Sequence, residues 1–207
     1  MATLGYDPKL VVKAVWEGTF AMLKNDGTKT NREVFWETFQ TFGFENVELI
    51  EQQVDSFYTN EFRQVRGVLK EERNLRELIE GLKEKGYALS LATSPIFPLV
   101  GVKERLSWIG LTVEDFAVVT TYENCRFCKP QLGYYQEGMN AAGFSPAESI
   151  MVGNDLKDDM PAGALGVETF LVTDILENKQ EGFEQKYTHG TFLQLQEFLE
   201  NLPNVKG

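Results

Sequence analysis

The stretch IMVGNDLKDDMPAGALGVETFLVT, Ile150–Thr173, decides the fold. An apolar run, Ile150–Val152, reads as a short buried strand. Gly153 opens a turn that carries Asp155, Asp158 and Asp159, and small residues follow on one face of an expected helix. The end of the stretch then reads as a second buried strand, so the whole is one βαβ unit. Its acids fall where strand hands over to helix, the edge of an open α/β sheet at which ligands bind. A hard cation there would take oxygen ligands.

Working outward toward the N-terminus, the same grammar repeats. Tyr87–Thr93, YALSLAT, reads as a strand, Ser94-Pro95 as a turn, and 98–109 as a helix closed by Gly110. Phe116–Thr121 is a further expected strand, and 131–142 a helix stopped at Gly143. Toward the C-terminus, 191–202 carries Phe192, Leu195, Phe198 and Leu199 at helical spacing. Strands alternating with helices of about a dozen residues predict a Rossmann-like, doubly wound parallel sheet.

The first third is different. Asp7-Pro8 offers an N-cap with proline at the first helical position, and Val11, Val12, Val15, Trp16, Phe20, Met22 and Leu23 predict a wide apolar face. Thr30 and Glu33 make a capping-box pattern ahead of the aromatic stripe Val34, Phe35, Trp36, Phe39 and Phe42, which reads as core packing. A third helix is expected over 47–58 and a short fourth near 61–68. Asn74 is placed to cap the helix bearing Leu75, Leu78, Ile79 and Leu82. An all-helical segment cannot join the sheet, so the expected organisation is a cap domain over 1–72 and an α/β core over 73–207, with the boundary near 70–73.

Composition narrows the functional classes. The 207 residues are 43% hydrophobic and 12% aromatic, as in a folded globular chain. The net charge of −11 would repel a phosphate backbone, so nucleic acid is not an expected partner. No run approaches 18 apolar residues and the N-terminus has no leader pattern, so the expectation is a soluble cytoplasmic protein with no membrane partner. Cys125 and Cys128 form a single CxxC pair; with one histidine in the chain, two loop thiols are expected rather than a zinc site.

Polar groups at three strand ends can converge. Thr93 and Ser94 follow one strand, Lys129 follows another, and Asp155 with Asp159 follows a third. A hydroxyl and helix-start amides can bind phosphate oxygens, Lys129 adds a point charge for them, and Asp155 and Asp159, four apart at a helix start, can hold or orient Mg²⁺. An alternative register pairs Asn154 with Asp158, and Asp155 with Asp159 is preferred because it keeps two carboxylates.

In this ordered set the chain resembles the haloacid dehalogenase (HAD) superfamily, mostly Mg²⁺-dependent phosphatases. Thr93 ending YALSLAT looks like that family's second motif, Lys129 in CKP like its third and GNDLKDD like its fourth, and the helical first third is similar to its mobile cap. The resemblance implies hydrolysis of phosphate monoesters, with Thr93 and Lys129 in catalytic roles, Thr93, Ser94 and Lys129 on phosphate, and Asp155 and Asp159 on Mg²⁺. The family's first motif, DxDGT, supplies the nucleophilic Asp, and no Asp-x-Asp occurs anywhere in this chain. Asp26-Gly27-Thr28 follows an expected helix instead of a strand, so it reads as a polar turn.

The expectation is therefore a HAD-like core without its first, central strand, little or no phosphatase activity from this chain, and a small phosphorylated molecule as ligand. The alternative is a non-catalytic phosphate- or Mg²⁺-binding or interaction protein. Loss of a central strand would leave unpaired edges on two neighbours, so the sheet closes across the gap, a segment from another chain fills it, or the chain is an N-terminally shortened form, and exposed edges favour self-association.

Overall fold

Asp7 and Pro8 start the first helix as their sequence predicts: the Asp7 carboxylate accepts from the Lys9 amide and Pro8 is the first helical residue of α1, Pro8–Leu23. The computed structural model describes residues 5–69 and 75–205. The expected cap of Asn74 and the boundary near 70–73 lie outside the described residues. Two compact units emerge. The first joins Met1–Asn74, Thr93–Glu114 and Val119–Cys128, and the second joins Leu75–Ala92, Asp115–Val118 and Lys129–Gly207.

The first unit is helical: α1 is followed by α2, Asn31–Gln40, α3, Val47–Thr59, a 3₁₀ stretch Glu61–Val68, and later α5, Leu99–Trp108. Thr30 and Glu33 form the capping box of α2. Val11, Ala14, Met22, Trp36, Phe39, Phe44, Ile50, Tyr122 and Cys128 make its core. The aromatic stripe is thus core packing at Trp36 and Phe39, the latter with no exposure at all. Gly18 lets α1 approach α2, because a Cβ there would overlap the Phe35 ring.

The expected single apolar face of α1 divides in two. Val11, Ala14, Gly18 and Met22 recur every three or four residues and are buried. Val12, Trp16, Phe20 and Leu23 lie round the helix and are exposed, Trp16 by 57% and Phe20 by 49%, with their rings stacked at 5.9 Å.

The second unit is α/β. It contains α4, Leu75–Glu84, β1, Ser90–Leu91, β2, Val118–Val119 at the junction with the first unit, α6, Leu132–Ala142, β3, Ile150–Gly153, β4, Glu168–Val172, β5, Thr188–Gly190, and α7, Phe192–Glu200. Strands β3, β4 and β5 pair in parallel in that order, with Ile150 opposite Glu168 and Phe170 opposite Thr188. Gly143 closes α6 in the left-handed conformation at φ 80°, as its position predicts. Leu82, Phe170, Val172, Leu195 and Leu199 form one core cluster, and Leu156, Met160, Leu171 and Phe183 a second.

The α/β class with parallel pairing is as expected, but the strands fall in two sheets, β1–β2 and β3–β4–β5, instead of one. The ladders are also shorter than the apolar runs: 87–93 contributes two residues and 116–121 two. A strand needs a hydrogen-bonded neighbour, and a two-stranded pair holds little by itself. The helix expected after the acidic turn is a 3₁₀ stretch, Met160–Leu165. Pro161 and Gly163 within six residues disfavour an α-helix, and 3₁₀ geometry serves as a short connector. The strand Thr188–Gly190 was not predicted, because THG carries no apolar alternation. Among the described residues, no helix is long and apolar enough to cross a membrane.

Candidate functional site

Lys129 and Asp159 meet inside the second unit. Lys129 lies just before α6 and Asp159 at the end of the acidic turn, and Nζ donates to Asp159 Oδ1 at 2.6 Å with both side chains almost fully buried. The Tyr134 ring lies 5.6 Å from the ammonium. The other oxygen, Asp159 Oδ2, accepts the backbone amides of Asn154 at 3.0 Å and Asp155 at 2.9 Å. This fit requires Gly153, where a Cβ would overlap the Asp159 carboxylate.

Asp155 sits on the same turn and is more open. Its Oδ1 accepts the amides of Lys157 at 2.7 Å and Asp158 at 3.1 Å, and Asn178 Nδ2 donates to both carboxylate oxygens, at 2.8 and 2.7 Å. Burial pushes the Asp155 carboxyl up, but the hydrogen bonds from Asn178 and the two amides outweigh it and leave it below its ordinary value. Burial also raises the neighbouring Asp158, and the negative charge of Asp155 adds to that rise. The Tyr135 hydroxyl donates to the Asp158 carbonyl at 2.7 Å, and burial, then the charges of Asp159 and Asp158, push its own titration upward.

Asp155 and Asp159, the expected cation ligands, stand on one turn with different partners. Asp159 is committed to Lys129 and to two amides, so it locks the loop and the lysine, while Asp155 remains the accessible carboxylate. Asn154, the anchor of the alternative register, spends its side-chain amide on the Ile175 carbonyl at 2.8 Å. Among the described residues no group of three or more His, Cys, Asp or Glu side chains is arranged to hold a metal. Mg²⁺ needs no such group, since it keeps several waters and uses one or two carboxylates with substrate phosphate. Asp155, with Asp158 raised beside it by burial and like charge, fits that donor set.

Thr93 and Ser94 belong to the first unit. Thr93 Oγ1 donates to the Thr120 carbonyl at 3.0 Å, and Thr120 Oγ1 donates back to the Thr93 carbonyl at 3.0 Å. The Ser94 carbonyl accepts the Ile96 amide at 2.9 Å. Asp26 forms an exposed turn after α1, accepting from the amide and hydroxyl of Thr28. Cys125 and Cys128 are buried thiols, and Asn31 Nδ2 donates to Cys128 Sγ at 3.4 Å.

Sequence reading missed Asn178 and Tyr135. Tyr135 lies within a predicted helix but its hydroxyl target is 23 residues away, and Asn178 lies in a loop whose only local signal is an asparagine tolerant of left-handed backbone.

Residues 24–172 match the model of the haloacid dehalogenase-like hydrolase family, and the chain belongs to that family. Pyrophosphatase PpaX of Bacillus velezensis is 24% identical over 131 residues, which are 63% of this chain and 59% of that relative, so the chain spans less than two thirds of its length. A glyceraldehyde 3-phosphate phosphatase of Methanothermobacter thermautotrophicus is 25% identical over 80% of this chain and 70% of its own length. A crystallised HAD phosphatase from Thermococcus onnurineus superposes with a TM-score of 0.53 at 19% identity, covering 95% of this chain and 93% of that one. The architecture is that of a haloacid dehalogenase-like hydrolase.

Proposed function

We propose that this chain carries the phosphate- and cation-binding side of a HAD-type phosphohydrolase site, takes a small phosphorylated molecule with Mg²⁺, and on its own turns over little or no substrate. The buried Lys129–Asp159 pair, its aspartate on one turn with the accessible Asp155, carries this reading. The names of the relatives, a pyrophosphatase and a glyceraldehyde 3-phosphate phosphatase, support a phosphoryl ligand.

In this reading Asp159 holds the Lys129 ammonium and the amides of Asn154 and Asp155 in place. Lys129 then offers a positive charge to phosphate oxygens. Asp155, flanked by Asp158, would hold Mg²⁺, which when bound neutralises charge on the phosphate oxygens. Attack on phosphorus in this family comes from an Asp of the Asp-x-Asp motif, and this chain has no such pair. Calorimetry with Mg²⁺ and inorganic phosphate, beside an aryl-phosphate assay, tests the whole. Expected are binding of both, loss of Mg²⁺ binding in Asp155→Asn, and no turnover above buffer. Mg²⁺-dependent turnover abolished by Asp155→Asn would overturn the inactivity, and absence of binding would overturn the pocket.

A second reading, a strand supplied in trans, draws support from the divided sheet. Among the described residues β1 and β3 are each terminal in their sheets, and Val152 of β3 is 36% exposed. An apolar peptide ending in Asp-x-Asp-Gly-Thr is the direct test. Mg²⁺-dependent hydrolysis on adding it supports complementation; no binding of the peptide at high micromolar concentration sinks it.

A further inference from the structure

Beyond β4 the chain runs as a strap across the acidic turn. Asp174 Oδ2 accepts the Phe192 amide at the start of α7, at 2.6 Å. Ile175 gives its carbonyl to the Asn154 side chain, the Glu177 amide donates to the Asn154 carbonyl at 2.8 Å, and the Leu156 amide donates to the Glu177 carbonyl at 3.3 Å. Asp155 and Glu177 form an isolated parallel bridge. The strap is thus fixed to the turn on both sides of Asp155 before Asn178 is reached.

Asn178 has φ 49°, one of two non-glycine residues with positive φ among the described residues. Asparagine tolerates that conformation better than most side chains. From it, Nδ2 reaches both oxygens of Asp155. Asp155 Oδ1 also receives two backbone amides, whereas the hydrogen bond recorded to Oδ2 comes from Asn178. The donor is neutral, so it fixes the rotation of the carboxylate without cancelling its charge; a lysine there would neutralise it.

We propose that Asn178 is a positioning residue for Asp155: its amide, held by the 174–178 strap, sets the orientation of the carboxylate that takes the cation. This rests on the reading of Asp155 as the Mg²⁺-holding group. Groups behind a ligand typically change metal affinity by about 10- to 100-fold when removed, and the same range is expected here.

The test is Mg²⁺ titration by calorimetry on the full chain, for wild type, Asn178→Ala, Asn178→Gly and Asp155→Asn, with the metal-free unfolding midpoint read on each sample. Glycine adopts positive φ freely, so it removes the amide while sparing the backbone. Both Asn178 variants weakening Mg²⁺ about 10- to 100-fold, with the Gly midpoint close to wild type, is the expected result. Wild-type affinity in both, with binding lost in Asp155→Asn, overturns the role of Asn178 and leaves the cation reading intact. Loss in Asn178→Ala with wild-type affinity in Asn178→Gly assigns the effect to backbone alone and also overturns it. No Mg²⁺ binding by wild type overturns both.

Discussion

Lys129 and Asp159 are 30 residues apart and form a buried ion pair at 2.6 Å, with side-chain exposures of 7% and 8%. Removing one partner leaves an uncompensated charge in a low-dielectric site. Lys129→Met or Asp159→Leu alone should therefore cost about 3–5 kcal/mol of stability, whereas the double replacement should cost much less. A double-mutant cycle by urea unfolding checks this; equal, additive losses would show that the pair is not coupled.

The same site depends on a missing side chain. Gly153→Ala places a Cβ against the Asp159 carboxylate, so Asp159 must shift and release the Asn154 and Asp155 amides. Overpacking of this kind costs about 1–3 kcal/mol. Faster amide exchange at Asn154 and Asp155 should accompany the drop in unfolding midpoint.

Acid should weaken the first unit through Glu51. Its carboxylate accepts from Arg32, from Trp36 Nε1 and from the Tyr122 hydroxyl at 2.8 Å. Burial pushes its titration up, but the bonds from Arg32 and Tyr122 prevail and set it below the ordinary 4.5. A depressed carboxyl stabilises fully above its unfolded value, and that contribution is lost as pH falls through the folded one. Melting temperatures measured from pH 6 down to 2 should fall below about 4.5, and Glu51→Gln should flatten that slope.

Two aromatic residues of the helical unit should respond in opposite ways. Phe39 is wholly buried, and Phe39→Ala should cost about 3–5 kcal/mol. Trp16 is 57% exposed, and Trp16→Ser should stay within about 0.5 kcal/mol of wild type. Thermal unfolding separates them; a large loss at Trp16 would mean that its face is covered in solution.

How legible these features are in sequence depends on the range over which they are determined. Asp7-Pro8 and the Thr30/Glu33 box act within one turn, so both are readable and both form. Gly143 likewise stops α6 by its own backbone freedom. Lys129 and Asp159 are readable as chemistry, but their mutual commitment is set by packing across α6 and the acidic turn. The apolar residues of α1 announce burial without saying which of them finds a partner, so their spacing alone puts Trp16 and Phe20 on the same apolar face as Met22. Strand lengths fail for a related reason: apolar runs are local, whereas ladders depend on the neighbour. Asn178 combines both difficulties, since its backbone preference is local and its target lies 23 residues away.

The parallel ladder β3–β4–β5 and its flanking α6 and α7 all come from one continuous stretch, Leu132–Glu200. Every contact among them closes a loop of modest length, so their assembly has low contact order. Each unit as a whole draws on three separated segments, so the contacts outside this stretch close over longer distances in the chain. This stretch is thus expected to form its contacts early. Pulse-labelled exchange should find protection at Leu171 before it appears at Cys128.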